Sequence, residues 1–190
     1  MIYLIEAATG RVVQTCTCPD EENALFDIEG THTVFSIVEH SVDTVYFNGT
    51  ELTEFPAQPT LHHEWDWTTK AWLPNLDAAR ESQRQAWNAW RDRELVAGYA
   101  NNGHVFHSDD TFIGELQLLL KGYERGHLTG PSAIRTRDNG VLQMTHAEIE
   151  GLLLLIGPHR QAIYQQSWVG KDALAGRNTL EDIVAGGPPS

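Results

Sequence analysis

Residues 64–98 read EWDWTTKAWLPNLDAARESQRQAWNAWRDRELVAG, and the side-chain period changes within them. Glu64-Trp65-Asp66-Trp67 and Lys70-Ala71-Trp72-Leu73 flank Thr68-Thr69, with Pro74 closing the second arm, which predicts a β-hairpin. Trp65, Trp67 and, across the turn, Trp72 are spaced for cross-strand aromatic contacts. From Asn75 the period is helical. Asn75 can cap a helix that runs to about Ala97, where Gly98 stops it. Along that helix Leu76, Ala79, Gln83, Ala86, Trp90 and Ala97 follow a heptad-like order, with Trp87 beside the stripe. Such a stripe is either a coiled-coil seam between copies of the chain or the face a helix turns to its own core.

Upstream, the chain reads as short strands. Ile2-Tyr3-Leu4-Ile5, the turn Ala8-Thr9-Gly10 and Arg11-Val12-Val13-Gln14-Thr15 predict a first hairpin. Residues 18–23 break the pattern and suit a short turn of helix, after which Thr33 to Val38 is again β-rich. Val45-Tyr46-Phe47 turns back through Asn48-Gly49 into Thr50-Glu51-Leu52. Pro56 and Pro59 make Phe55 to Thr60 an extended connector. Isolated hairpins are marginal in water, so this region is expected to need cover from sister copies or a larger assembly.

Downstream, Tyr99 to His107 surrounds the turn signal Asn101-Asn102-Gly103. Ser108-Asp109-Asp110 caps a helix to about Arg125, whose stripe is Phe112, Ile113, Leu116, Leu120 and Tyr123. Ile134 to Arg137 and Gly140 to Met144 form another hairpin about Asp138-Asn139. Thr145 with Glu148 is a capping box opening a helix that buries Ile149, Leu152, Leu153 and Ile156. Pro158 is expected to kink or split that helix, and a last short helix covers about Thr179 to Val184. The fold class is therefore α+β: a β-hairpin attachment region over 1–74, a linking helix over 75–98, and a compact helix-rich α+β domain over 99–190.

The 190 residues carry 13 basic and 26 acidic side chains, a net charge of −13. That balance argues against a nucleic-acid binder, which needs clustered Lys and Arg, and disfavours anionic lipid unless a divalent cation bridges the two surfaces. No apolar run reaches the roughly 20 residues of a membrane span, and MIYLIEAATG lacks a signal peptide's basic start. Cys16 and Cys18 read as free thiols of a reducing compartment.

Chemistry finds little purchase. His62-His63, and His104 and His107 near Asp109 and Asp110, lack metal-ligand spacing; Asp109 suits a helix cap instead. There is no nucleophile elbow and no glycine-rich phosphate loop. No catalytic, metal or cofactor residue is assigned, and the chain is expected not to be an enzyme. Aromatic content is the stronger signal. Five of six tryptophans fall between Trp65 and Trp90, and such residues concentrate in protein interfaces and sugar-binding surfaces. The expected partner or self-association surface is Trp65, Trp67, Trp72, Leu76, Gln83, Trp87 and Trp90.

Trp87-Asn88-Ala89-Trp90-Arg91-Asp92-Arg93-Glu94, then Gly98, then Gly103-His104-Val105-Phe106-His107-Ser108-Asp109 resembles a domain common at the carboxyl end of tailed-bacteriophage tail-fibre-like proteins. The likeness covers roughly Asp77 to Val184. Ahead of it, Glu6-Ala7-Ala8-Thr9-Gly10-Arg11, Tyr46 to Gly49, the Pro-rich step and Trp65 to Trp72 are similar to small phage tail proteins. The resemblance implies a virion component of the tail tip or baseplate, synthesised in the host cytoplasm. It also implies a homotrimer that joins other tail proteins and meets a host receptor or glycan. It carries over no catalytic residues. A tail-fibre assembly chaperone absent from the particle is the alternative, and a polysaccharide-degrading tail protein a third.

Overall fold

The computed structural model describes residues 1–16, 31–36 and 39–189. The helical turn expected over 18–23, Cys18 and the strand end at Val38 lie outside them. The class is α+β, in two compact units that divide between Asn75 and Leu76.

The first unit is built on β1 (Ile2–Glu6), β2 (Val12–Cys16) and β3 (Thr31–Phe35), antiparallel in the order β2-β1-β3. As the central strand, β1 is covered on both sides: Ile2, Tyr3, Leu4 and Ile5 are 0–4% exposed. Tyr3 and Ile5 pack with Val12 and Val45 into a core flanked by Met1, Val34, Val42, Phe47 and Leu52. The expectation that this region cannot shield its own apolar side chains is thereby corrected. Pairing β1 on both edges and laying the next hairpin against it makes a core that no single hairpin could.

That next hairpin, β4 (Val45–Phe47) and β5 (Leu52–Glu54), turns through Asn48 to Glu51 rather than through Asn48-Gly49 alone. The Asn48 side-chain oxygen accepts the backbone N–H groups of Thr50 and Glu51, which shapes the longer loop. Gly10 ties it to the sheet: the Phe47 N–H donates to the Gly10 carbonyl at 2.9 Å. Gly10 has φ +74°, and a Cβ there would lie 2.3 Å from the Phe47 carbonyl oxygen, so only glycine fits. A third hairpin, β6 (His63–Asp66) and β7 (Ala71–Pro74), pairs Trp65 directly with Trp72.

The second unit opens with α1 (Leu76–Ala97), which ends at Gly98, φ +87°. Then come the hairpin β8 (Tyr99–Asn101) and β9 (His104–Phe106), α2 (Asp110–Glu124), and the hairpin β10 (Ser132–Arg135) and β11 (Val141–Met144). The unit closes with α3 (His146–Ala173), a 3₁₀ turn and α4 (Leu180–Ala185). Asp109 caps α2 by accepting the Phe112 N–H at 2.9 Å, and Thr145 with Glu148 forms the full capping box of α3.

Helix α3 serves two cores. Before Pro158, its Ile149, Leu152 and Ile156 pack with Phe106, Phe112, Leu116 and Ile134. After Pro158, its Ile163 packs with Trp87, Trp90 and Leu174. The expected split at Pro158 is not found, and His146–Ala173 is one element. Pro158 and Leu154, whose carbonyl the proline leaves without its helical donor, both face solvent, where water can satisfy that oxygen. Packing on either side holds the helix together.

Candidate functional site

In the first unit, the turn between β6 and β7 is held by one carboxylate. Asp66 accepts the backbone N–H groups of Thr68 and Thr69 and the Thr69 hydroxyl at 2.6–3.0 Å. The Thr69 N–H and hydroxyl hold the Asp66 carboxyl below its ordinary pKa. Lys70 completes the turn at φ +54° and reaches back over the aromatic rings.

Those rings form a continuous cluster. The Trp65 and Trp72 centroids are 5.4 Å apart at 73°, and Phe55 stands edge-on to Trp65 at 4.8 Å and 89°. Phe55 also meets Trp67 at 5.7 Å and Tyr46 at 5.3 Å, while Tyr46 lies 4.9 Å from Trp65. Edge-to-face pairs contribute roughly 0.5–1.5 kcal/mol each beyond area burial. The sequence connects these strands only through the extended segment after Glu54. What anchors them is the Trp72 indole N–H, which donates to the Pro56 carbonyl at 2.7 Å. The Trp65 indole N–H is buried and meets no acceptor among the described residues. A buried donor left unpaired costs roughly 1–3 kcal/mol.

All five rings remain half-buried. Beside them a groove of about 540 Å³ is lined by Asp43, Thr44, Glu54, Phe55, Trp65 and Trp72. Its walls are set by register: Glu54 pairs with Val45, and the Phe55 N–H donates to the Thr44 carbonyl at 3.0 Å. The groove therefore has aromatic walls and two carboxylates, with no basic side chain among its lining residues. Trp65, Trp67 and Trp72 are brought together as expected. Asp43, Glu54 and Phe55 carry no local signal of a site: the β4–β5 register sets them side by side, and ring packing with the Trp72–Pro56 hydrogen bond brings the β6–β7 hairpin against them.

The α1 residues behave differently. Trp87 and Trp90 are each 7% exposed and pack edge-to-face at 5.5 Å inside the second unit. The Trp87 indole N–H donates to the Gly186 carbonyl at 3.0 Å, and the Ser167 hydroxyl to the Trp87 carbonyl. Ala79 is fully buried, and Leu76 and Gln83 are half-buried. The interface expected through Trp87 and Trp90 is thus corrected: α3 and α4 occupy the face that a second copy would need.

Residues 78–185, more than half of the chain, match the model of a domain of unknown function, DUF4376. The chain belongs to the DUF4376 family. No curated protein and no solved structure matches it. The DUF4376 region begins within α1 and ends at the last residue of α4, so it coincides with the second unit. The groove beside Trp72 lies ahead of it.

Within the DUF4376 region, a cleft of about 470 Å³ runs between the start of α2 and β10, with His107, Asp109, Glu115 and Arg135 among its walls. Its charged groups serve the fold in part. Asp109 is the α2 cap and lies 3.8 Å from His107, and Arg160 binds Asp110 and the Ser108 carbonyl. Among the described residues, no group of three or more His, Cys, Asp or Glu side chains could hold a metal ion. Among the same residues, no helix is long and apolar enough to cross a membrane.

Proposed function

We propose that this protein is a structural component of a tailed-bacteriophage virion, in the tail fibre or baseplate, and that it acts by assembly rather than catalysis. The observation that carries this reading is the ordered run of phage-tail-like motifs from Asp77 to Val184, the same stretch that matches DUF4376. The second unit also leaves large apolar side chains in solvent: Leu118, Leu154 and Val169 are 69–70% exposed and Trp168 is 49% exposed.

In this reading the chain joins other tail proteins and copies of itself, three copies being the expected number, and contributes to host attachment. Contacts between copies lie away from the α1 stripe. The net charge of −13 would repel a negative bacterial envelope, so attachment works through short-range contacts rather than long-range attraction. Mass spectrometry of purified virions from a phage encoding this chain tests the proposal. Stoichiometric recovery in the particle supports it. Recovery only from infected-cell lysate, bound to a fibre protein, identifies an assembly chaperone instead. Light scattering on the purified chain checks the copy number, and a stable monomer at micromolar concentration overturns the trimer.

A further inference from the structure

We infer that the groove between the β4–β5 and β6–β7 hairpins is a binding site for a small organic cation carrying an alkylammonium group. Three features of the groove select that chemistry. Asp43 and Glu54 supply negative charge, and no Lys, Arg or His stands among the lining residues to neutralise them. Phe55, Trp65 and Trp72 supply aromatic walls, whose quadrupoles attract a cation over their faces. The volume, about 540 Å³, suits a small molecule, for which sites run roughly 300–1,000 Å³.

Ring orientation discriminates further. A sugar is gripped by a flat platform along its C–H face. Here Phe55, Trp65 and Trp72 are inclined to one another by 49°, 73° and 89°, so no two of them make a common plane. Mutually inclined rings instead surround a compact cation from several sides. The cluster already does this once for a side chain of its own: the Lys70 ammonium lies 5.8 Å from the ring centroids of both Tyr46 and Trp67. An anion is excluded by the two carboxylates. The site needs only this chain, and it stands or falls independently of the virion reading.

The test is titration of the full-length protein with choline chloride and, separately, ethanolamine, followed by the indole N–H resonances and by calorimetry. Methyl glucoside and sodium acetate serve as neutral and anionic controls. Saturable binding of either amine is expected, with shifts concentrated at Trp65 and Trp72 and affinity that falls as ionic strength rises. The relative affinity of the two amines shows whether the site prefers a quaternary or a primary ammonium. Asp43 and Glu54 are exposed, so the double variant D43N/E54Q keeps the fold, checked by its thermal melt. It is expected to weaken amine binding severalfold, the loss of two nearby solvent-screened charges. Trp72→Phe keeps an aromatic wall and is expected to weaken it less than Trp72→Leu. The inference is overturned if neither amine saturates in the millimolar range, if methyl glucoside binds as tightly, or if D43N/E54Q binds as the parent does.

Discussion

Trp87 and Gly186 stand 99 residues apart in the chain and are joined by a buried hydrogen bond from the indole N–H to the glycine carbonyl. The same indole is also met by Gly170, where an added Cβ would lie 2.3 Å from two ring carbons. One side chain from α1 is thus clasped by α3 and by the residue that caps the end of α4. This contact turns a nominal linking helix into part of the second unit's core.

Replacing Trp87 by Phe should remove the donor and leave the Gly186 carbonyl buried and unpaired, at a cost of about 1–3 kcal/mol. Gly170→Ala should cost a similar amount by overpacking, about 1–3 kcal/mol. Because both act on one contact, the cost of Gly170→Ala should shrink when Trp87 is Leu. Urea unfolding of Trp87→Leu, Gly170→Ala and the double variant carrying both measures that coupling. Strict additivity would show that the ring and Gly170 do not touch in solution.

The unit boundary makes a prediction about fragments. Residues 76–190 should fold alone with a cooperative thermal transition. Residues 99–190 should not, because losing α1 strips Trp87 and Trp90 from Ile163 and Leu174. Circular dichroism melts of the two fragments distinguish them, and a cooperative melt from 99–190 would return α1 to the role of a linker.

Acid should weaken both units through identified carboxylates. Glu148 accepts the Thr145 N–H and hydroxyl, each at 2.7 Å, and these hold its carboxyl below the ordinary value of 4.5. Asp66 is held below 3.8 by Thr69 and Thr68. A carboxyl depressed in the folded state stabilises it fully above the ordinary value, and that contribution is lost as pH falls through the folded pKa. The melting temperature should therefore drop as pH is lowered through the ordinary carboxylate range and below. In Glu148→Gln the drop belonging to the second unit should be smaller, as melts across an acid pH series would register.

Pro158→Ala should raise stability by about 1–2 kcal/mol. It restores a helical donor to the Leu154 carbonyl at a solvent-exposed position. A gain in denaturation midpoint with unchanged helicity is the expected result. A loss would mean that the proline shapes α3 for the packing of the two cores it separates.

Local signals were legible wherever the structure depends on neighbours in sequence. Gly98 ends α1, Asn102-Gly103 and Asn139 turn their hairpins at positive φ, Asp109 caps α2, and Thr145 with Glu148 opens α3. The Trp65–Trp72 pairing was also readable, because a tight hairpin brings the two rings together without help from the rest of the chain. Each is a backbone requirement met within a few residues, so residue type and spacing carry it.

The stripe on α1 shows where such signals stop. Period and side-chain type establish that Ala79, Trp87 and Trp90 seek cover, and they say nothing about what provides it. Cover came from α3 and α4 rather than from another copy, a choice made by packing across as many as 99 residues of chain. The groove tells the same story: Asp43, Glu54 and Trp72 share a surface only because strand register and a hydrogen bond to Pro56 place them there. The sequence by itself determined where helices and turns begin and end, since those obey local sterics and capping. Tertiary structure alone decided which apolar faces stay free and which charges meet the rings, because burial depends on distant partners that no local pattern names.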